Sequence, residues 1–201
     1  MRRRESLKEY RRKRDFEVTQ EPKGSARKNR SSKRNLLYLV QKHQASHLHY
    51  DFRIEWRGVL LSWAVPKGAS LDPSVKRLAA RVEDHPVEYG DFEGVIPEGE
   101  YGGGTVMLWD LGSWVPEVPD VDEALRNGEL KFKLRGKKLK GSWVLVRTRG
   151  SYGGRGKESW LLIKHRDRYA STKDILEEMP RSAVSNRSLA EIARHASGAV
   201  R

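Results

Sequence analysis

From His47 onward the chain alternates: Leu48, Tyr50, Phe52 and Ile54 fall on one parity, and His47, His49, Asp51 and Arg53 on the other. Successive strand residues point to opposite faces, so this period predicts a strand whose apolar set meets a core while its polar set gathers on the other side. Short apolar runs between Gly-rich or Pro-rich turns predict strands at residues 36–40, 49–56, 59–64, 79–82, 105–111, 130–134, 142–148 and 159–164. Eight short strands with no helical stretches between them make the chain mainly β, a compact closed barrel or a sandwich rather than a series of βαβ units.

Helical patterning is confined to the ends. Ser6 with Glu9 forms a capping box for a short helix through Leu7 and Tyr10 that ends near Arg14, Asp15 and Phe16. Ser188 with Glu191 forms another ahead of Leu189, Ile192, Ala193 and Ala196, with Gly198 suited to the C-terminal cap. Between the first helix and the first strand, residues 22–34 carry six basic side chains, no acidic one and no aliphatic larger than Ala, which reads as a mobile linker or surface loop. The expected organisation is a basic arm over residues 1–34, a β-barrel body over 35–170, and a helical tail or linker over 171–201.

Charge sharpens this division. The formal net charge is +13 with a pI near 10, and residues 1–34 hold 14 basic against 5 acidic side chains, so most of the excess lies in the arm. Such a balance favours an anionic polymer as partner. The segment from Lys131 to Arg166 adds twelve basic residues against the single acid Glu158, with Lys131, Lys133 and Arg135 alternating with Phe132 and Leu134, so one strand presents a basic face to nucleic acid. No apolar run approaches the roughly 20 residues of a membrane span, and no signal peptide is legible, so a soluble, cytoplasmic, nucleoid-associated protein is expected. The absence of Cys excludes disulfides and thiolate ligands, leaving His and carboxylate for any metal.

Those residue types are concentrated in thirteen positions, Gln41 to Arg53, which hold three imidazoles, a carboxylate and a guanidinium. An isolated strand His is more often structural than a ligand. His43, His49 and Asp51, however, supply two imidazoles and one carboxylate, a set that leaves metal positions open for substrate and water and is compatible with Mn²⁺, Zn²⁺ or Fe²⁺. His47 shares their face and can replace one of them. Arg53, about 6.6 Å along the strand from Asp51, either grips a phosphate oxygen or simply pairs with Asp51 on a solvated face. His85, followed by Pro86, sits where a strand should end, at a rim.

The run QKHQASHLHYDFRIEWRGVLLSWAVPKGASLDPSVKRLAARVEDHPVEYGDFEGVIPEGEYGGGTV, with YRRKRDFEVTQEP upstream and ESWLLIKHRDRYA downstream, resembles the 3′-phosphoesterase domain of bacterial ATP-dependent DNA ligase D and its free-standing bacterial and archaeal relatives. The resemblance implies a compact β-barrel with short flanking helices. It also implies an enzyme that removes a terminal ribonucleoside to leave a 3′-phosphate, and then removes that phosphate to leave a 3′-OH for ligation. A divalent metal is implied, Mn²⁺ first, with Zn²⁺, Co²⁺ or other divalent cations as alternatives. The implied substrates are DNA or RNA-containing duplex 3′ ends. Ligase, polymerase and Ku are the implied end-joining partners, with no membrane and a monomeric chain.

Carried over by motif, His43, His49 and Asp51 are the implied metal ligands, which makes His47 the variable position in KHxASxLHYDFR. Arg14 in KRDF, Arg53 in DFR and Arg77 in KRLA are implied to hold the phosphate. His85 and Tyr89 in EDHPVEY are implied to contact it from the opposite side, with His85 the candidate for proton transfer. Asp15, Glu21, Gln41, Lys67 and Glu83 also match family positions. The rival reading is a non-catalytic barrel that binds single strands through basic grooves and stacked aromatics within a repair assembly, which accounts for the charge and the six Trp but not for the matched series.

Overall fold

The computed structural model describes residues 7–24, 36–149 and 158–198. Its strands are β1 (Leu36–Gln44), β2 (Leu48–Trp56), β3 (Val59–Val65), β4 (Lys76–Pro86), β5 (Gly94–Ile96), β6 (Gly104–Pro116), β7 (Glu129–Gly136), β8 (Lys140–Arg147) and β9 (Ser159–Lys164). They pair antiparallel in the order β1, β2, β3, β4, β9, β8, β7, β6, and β6 pairs back onto β1 to close an eight-stranded barrel. β5 adds to β6 outside that circle, opposite Gly104, Thr105 and Val106. Each of the eight expected strands is therefore present. β5 escaped notice because three residues carry no readable period.

Aromatic side chains fill the barrel. Phe52 is central, with its ring centroid 5.7 Å from Tyr38, 6.3 Å from Trp63 and 5.8 Å from Phe132, and Trp114 and Trp160 extend the cluster. Trp63, Trp109, Trp114, Trp143 and Trp160 are all buried. Truncating one such side chain to Ala typically costs about 3–5 kcal/mol, so this cluster dominates folding energetics. The same burial removes five of the six Trp from any role in stacking on bases.

Among the described residues four α-helices flank the barrel: α1 (Lys8–Arg12), α2 (Val121–Asn127), α3 (Ile175–Glu178) and α4 (Leu189–Gly198). At α4 the expected capping box is made, with Ser188 N donating to Glu191 Oε2 (2.7 Å) and Glu191 N to Ser188 Oγ (3.3 Å). At α1 the cap position is Leu7, with no side-chain cap, and Glu9 instead pairs with Arg12 (2.8 Å) and Lys13 (3.1 Å). Ser6 lies outside the described residues, as does residues 25–34 of the expected loop. α2 was not anticipated, although Asp120 accepts from Glu123 N and Gly128 closes the helix at φ 84°, both legible signals. The segment after Tyr169 packs on the barrel: Trp109 Nε1 donates to Met179 O (2.8 Å), and Ile175 and Ile192 join the core.

Because Tyr50, Phe52 and Ile54 face the aromatic core, Asp51 and Arg53 face the other side of the wall, alongside Gln41, His43 and Ser62 from neighbouring strands. The arm and a 3₁₀ turn at Val87–Asp91 cover that side through buried Leu7, Tyr10 and Tyr89. Two register shifts flank it, one at Val40/Gln41 between β1 and β6, the other at Leu60/Ser62 between β3 and β4. At the second, Leu60 opposes His85 and Ser62 opposes Val82, so three steps on β4 span two on β3. The extra residue returns His85 to the face of Ser62, where an unbulged strand would turn it inward.

Candidate metal and phosphate site

The β1–β2 hairpin aligns Gln41 with Asp51 and His43 with His49. His43 Nδ1 lies 3.8 Å from Asp51 Oδ2, and His49 Nε2 lies 3.8 Å from Asp51 Oδ1. These contacts are too long for hydrogen bonds, yet two donors each about 2.1 Å from a shared ion are separated by roughly 3–4 Å. One ligand atom from each residue lies within 4.8 Å of the others, so the trio can hold a metal ion. His49 Nδ1 sits 3.0 Å from His47 O; a carbonyl only accepts, so Nδ1 carries the proton and Nε2 keeps its lone pair. His43 Nε2 is buried without a hydrogen-bond partner among the described residues. His47 itself is exposed in the turn before β2, and it serves the cluster through its backbone.

Beside the trio, Arg53 is 2% exposed and uses its whole fork: Nη2 to Asp51 Oδ2 (3.0 Å), Nε to Gln41 Oε1 (2.9 Å) and Nη1 to Ser62 Oγ (2.8 Å). The Asp51–Arg53 pair exists, but buried rather than on a solvated face. Burial pushes the Asp51 carboxyl up, and Arg53 with the two imidazoles outweighs it, holding the group well below the usual carboxylate range. Gln41 is locked in turn, its amide donating to Tyr89 O (3.2 Å) and Phe92 O (2.9 Å). Arg53 also lies 5.0 Å from the Tyr89 ring centroid.

The arm brings a second guanidinium. Arg14 donates from Nε to Glu21 (2.8 Å), from Nη1 to Tyr10 O (3.1 Å) and Glu83 (3.4 Å), and its Nη2 stands 3.3 Å from His85 Nε2. His85 Nδ1 lies 2.9 Å from Glu83 O, so that nitrogen carries the proton and Nε2 accepts from Arg14. His85 is buried, not at a rim. Desolvation, with Arg53 and Arg14 close by, holds its imidazole neutral well below the ordinary range. The rings of Tyr10 and Tyr89 pack edge-on against it at 5.0 and 4.8 Å.

The remaining expected residues are less closely tied. Asp15 is exposed and caps its own turn, accepting from Glu17 N. Lys67 is exposed in the turn after Val65, the residue opposite Tyr50. Arg77 stands on β4 opposite Leu162, with its Nε buried and unpartnered among the described residues. Sequence reasoning passed over Ser62, which connects Arg53 to the His85 side (Oγ to Nδ1 3.5 Å), and Tyr10, whose ring lies 3.9 Å from the Arg14 guanidinium. Neither has a signal in the chain, since a lone Ser in an apolar strand and a Tyr in a basic arm are unremarkable. A cleft of about 630 Å³ opens beside the trio, between Gln44, Ala45 and Ser46 on one side and Glu98, Glu100 and a run of Gly on the other.

A family model for the DNA ligase D 3′-phosphoesterase domain matches residues 41–147, which include the ligand-bearing end of the β1–β2 hairpin and the His85 segment. The chain is 53% identical over 198 residues, 96% of its length, to the multifunctional non-homologous end joining protein LigD of Pseudomonas aeruginosa, of which that match covers 22%. It is 44% identical over 144 residues, 72% of its length, to the multifunctional non-homologous end joining DNA repair protein LigD of Mycobacterium tuberculosis, covering 18% of that protein. With the LigD of Mycolicibacterium smegmatis it shares 39% over 168 residues, 81% of this chain and 21% of the relative. It thus spans about a fifth of the length of these relatives, and within that span it belongs to the DNA ligase D 3′-phosphoesterase domain family.

Proposed function

We propose that this chain heals 3′ ends during DNA repair by end joining, hydrolysing a terminal ribonucleoside to leave a 3′-phosphate and then hydrolysing that phosphate to leave a 3′-OH. The observation that carries this reading is the continuity of the site: one series of polar contacts runs from Asp51 through Arg53 and Ser62 to His85 and Arg14. A binding module needs no such convergence, and its stacking role cannot fall to Trp side chains that lie in the core. In the first step water adds to phosphorus and the P–O5′ bond breaks, releasing a nucleoside. In the second, water adds again and the P–O3′ bond breaks, releasing inorganic phosphate.

His43, His49 and Asp51 would hold the divalent ion, Mn²⁺ first, and when bound it supplies positive charge and Lewis acidity at the phosphate. Arg53 and Arg14 approach the phosphate from the wall and from the arm, and their fixed forks stabilise charge developing on its equatorial oxygens. Glu21 and Glu83 hold Arg14 in place, Gln41 holds Arg53, and Tyr89 packs against Arg53 and His85. Asp15 and Lys67 fit outer roles, in the arm's turn and in the turn after β3, whereas Arg77, expected to hold the phosphate, shares the face of Ala79 and Leu162 in the core rather than that of Arg53, and no phosphate contact is assigned to it. Desolvation, reinforced by Arg53 and Arg14, keeps His85 neutral; an arriving phosphate offsets the guanidinium charges and draws Arg14 toward itself, freeing Nε2 to take up a proton and pass it to the leaving oxygen.

A duplex primer ending in one ribonucleotide tests this reading. With Mn²⁺ the time course should show a 3′-phosphate species that rises and then gives way to 3′-OH. Direct appearance of 3′-OH with loss of a whole nucleotide, or no product at all, would contradict the two-step scheme. His85→Ala that leaves both steps intact would exclude its proton-transfer role.

A further inference from the structure

The loop at residues 97–103, between β5 and β6, carries Gly99, Gly102, Gly103 and one aromatic, Tyr101, and Gly104 follows it at the start of β6. It adjoins the metal trio directly, since a Cβ at Gly102 would lie 3.7 Å from His43 Cε1. Its two sides differ in chemistry. One side opens on the 630 Å³ cleft, where Glu98 and Glu100 contribute negative charge. On the other, Tyr101 reaches the arm: Lys13 Nζ donates to its hydroxyl (3.3 Å) and lies 4.7 Å from the ring centroid, and the Arg14 guanidinium lies 5.5 Å from it. Tyr101 is 47% exposed, an unusual state for an aromatic residue in a chain whose other large rings are mostly sealed in the core.

Resting on the end-processing reading above, we propose that Tyr101 is the stacking platform for the nucleobase adjacent to the reacting phosphate, on the strand that remains after cleavage. A phosphate held by Arg14 places its own nucleotide next to whatever borders Arg14, and Tyr101 is the exposed ring there. Charge decides which nucleotide this is. The retained strand carries further phosphates and suits the side where Lys8, Arg11, Arg12, Lys13 and Arg14 follow one another. The leaving nucleoside carries none and suits the acidic cleft, whose volume exceeds what a phosphate needs. Base-on-aromatic stacking tolerates any sequence, as an end-healing site requires.

The test uses a duplex primer with a 3′-phosphate whose terminal nucleotide is either base-bearing or abasic. Binding is measured by fluorescence anisotropy in a metal chelator, and phosphate release is measured in parallel with Mn²⁺. The wild-type protein should bind the base-bearing end about tenfold more tightly than the abasic one. Tyr101→Ala should bind both at the abasic level, while Tyr101→Phe, which keeps the ring and loses the Lys13 hydrogen bond, should retain the preference. No preference in the wild type overturns the proposal, and so does Tyr101→Ala weakening both ends equally, which would mark the ring as a prop for the arm. The binding comparison stands whether or not phosphate is released, so a protein that discriminates bases yet turns nothing over would bring down the end-processing reading alone.

Discussion

His85 is the residue whose environment departs furthest from what its sequence position implies. Buried between two guanidinium groups, its folded-state affinity for a proton is well below that of the unfolded chain, which titrates near 6.5. Below that pH the unfolded state takes up a proton that the folded state refuses, so the contribution of His85 to stability is full above about 6.5 and is lost as pH falls beneath it. Denaturant unfolding at pH 7.5 and 5.5 should therefore show a loss on acidification that His85→Gln reduces, and an equal loss in both proteins would contradict the assigned environment. Asp51 and Arg53 set a different expectation. Removing Asp51 leaves a buried guanidinium uncompensated, at a cost of about 3–5 kcal/mol, so Asp51→Ala should unfold readily in denaturant titrations. His49, with its side chain 24% exposed, can be replaced with the fold intact. The parity of His49, Asp51 and Arg53 was legible because alternation in a half-buried strand is a strong signal. His85 was misplaced at a rim because burial under a distant arm leaves no mark in the local pattern.

Among the elements, the bulged pairs and the glycine loop determine where side chains aim. Gly104 opens β6 at φ 141°, and a Cβ there would sit 2.1 Å from Gln44 O, one residue beyond His43. Gly104→Ala should destabilise the fold by more than about 1 kcal/mol in thermal or chemical unfolding and weaken metal binding, because relief of the clash must move the end of the hairpin. Unchanged stability and metal affinity would show that the hairpin end is not tightly constrained. The eight barrel strands could be read from runs and turns, with β7 alternating exposed and buried from Glu129 to Gly136 as the pattern required. The bulge that turns His85 toward Ser62 could not, since it depends on which residues of β3 and β4 are paired. Arg77 illustrates the same limit: a family motif names it, but only the register puts it opposite Leu162.

At the scale of the molecule, charge and architecture act together. The arm folds back so that Arg14 joins the site, while the outer face of β7 is partly neutralised, with Lys131 paired to Glu129 (2.8 Å) and Lys133 to Glu117 (2.9 Å). Exposed Arg135 and Lys140 nevertheless stand directly opposite each other, an arrangement that an anionic partner would relieve. Binding of duplex ends should fall more than about tenfold between 50 and 200 mM salt, and a flat response would count against a phosphate-tracking surface. Among the described residues no helix is long and apolar enough to cross a membrane. Release of inorganic phosphate from a 3′-phosphate duplex primer, measured with and without Mn²⁺ for the wild-type protein and for His49→Ala, decides whether the metal cluster performs the reaction. The wild-type protein should release phosphate only with the metal, and the variant should remain folded yet release none. Equal release by both proteins, or release by the wild type in a chelator, would show that the His43, His49 and Asp51 cluster does not serve the reaction.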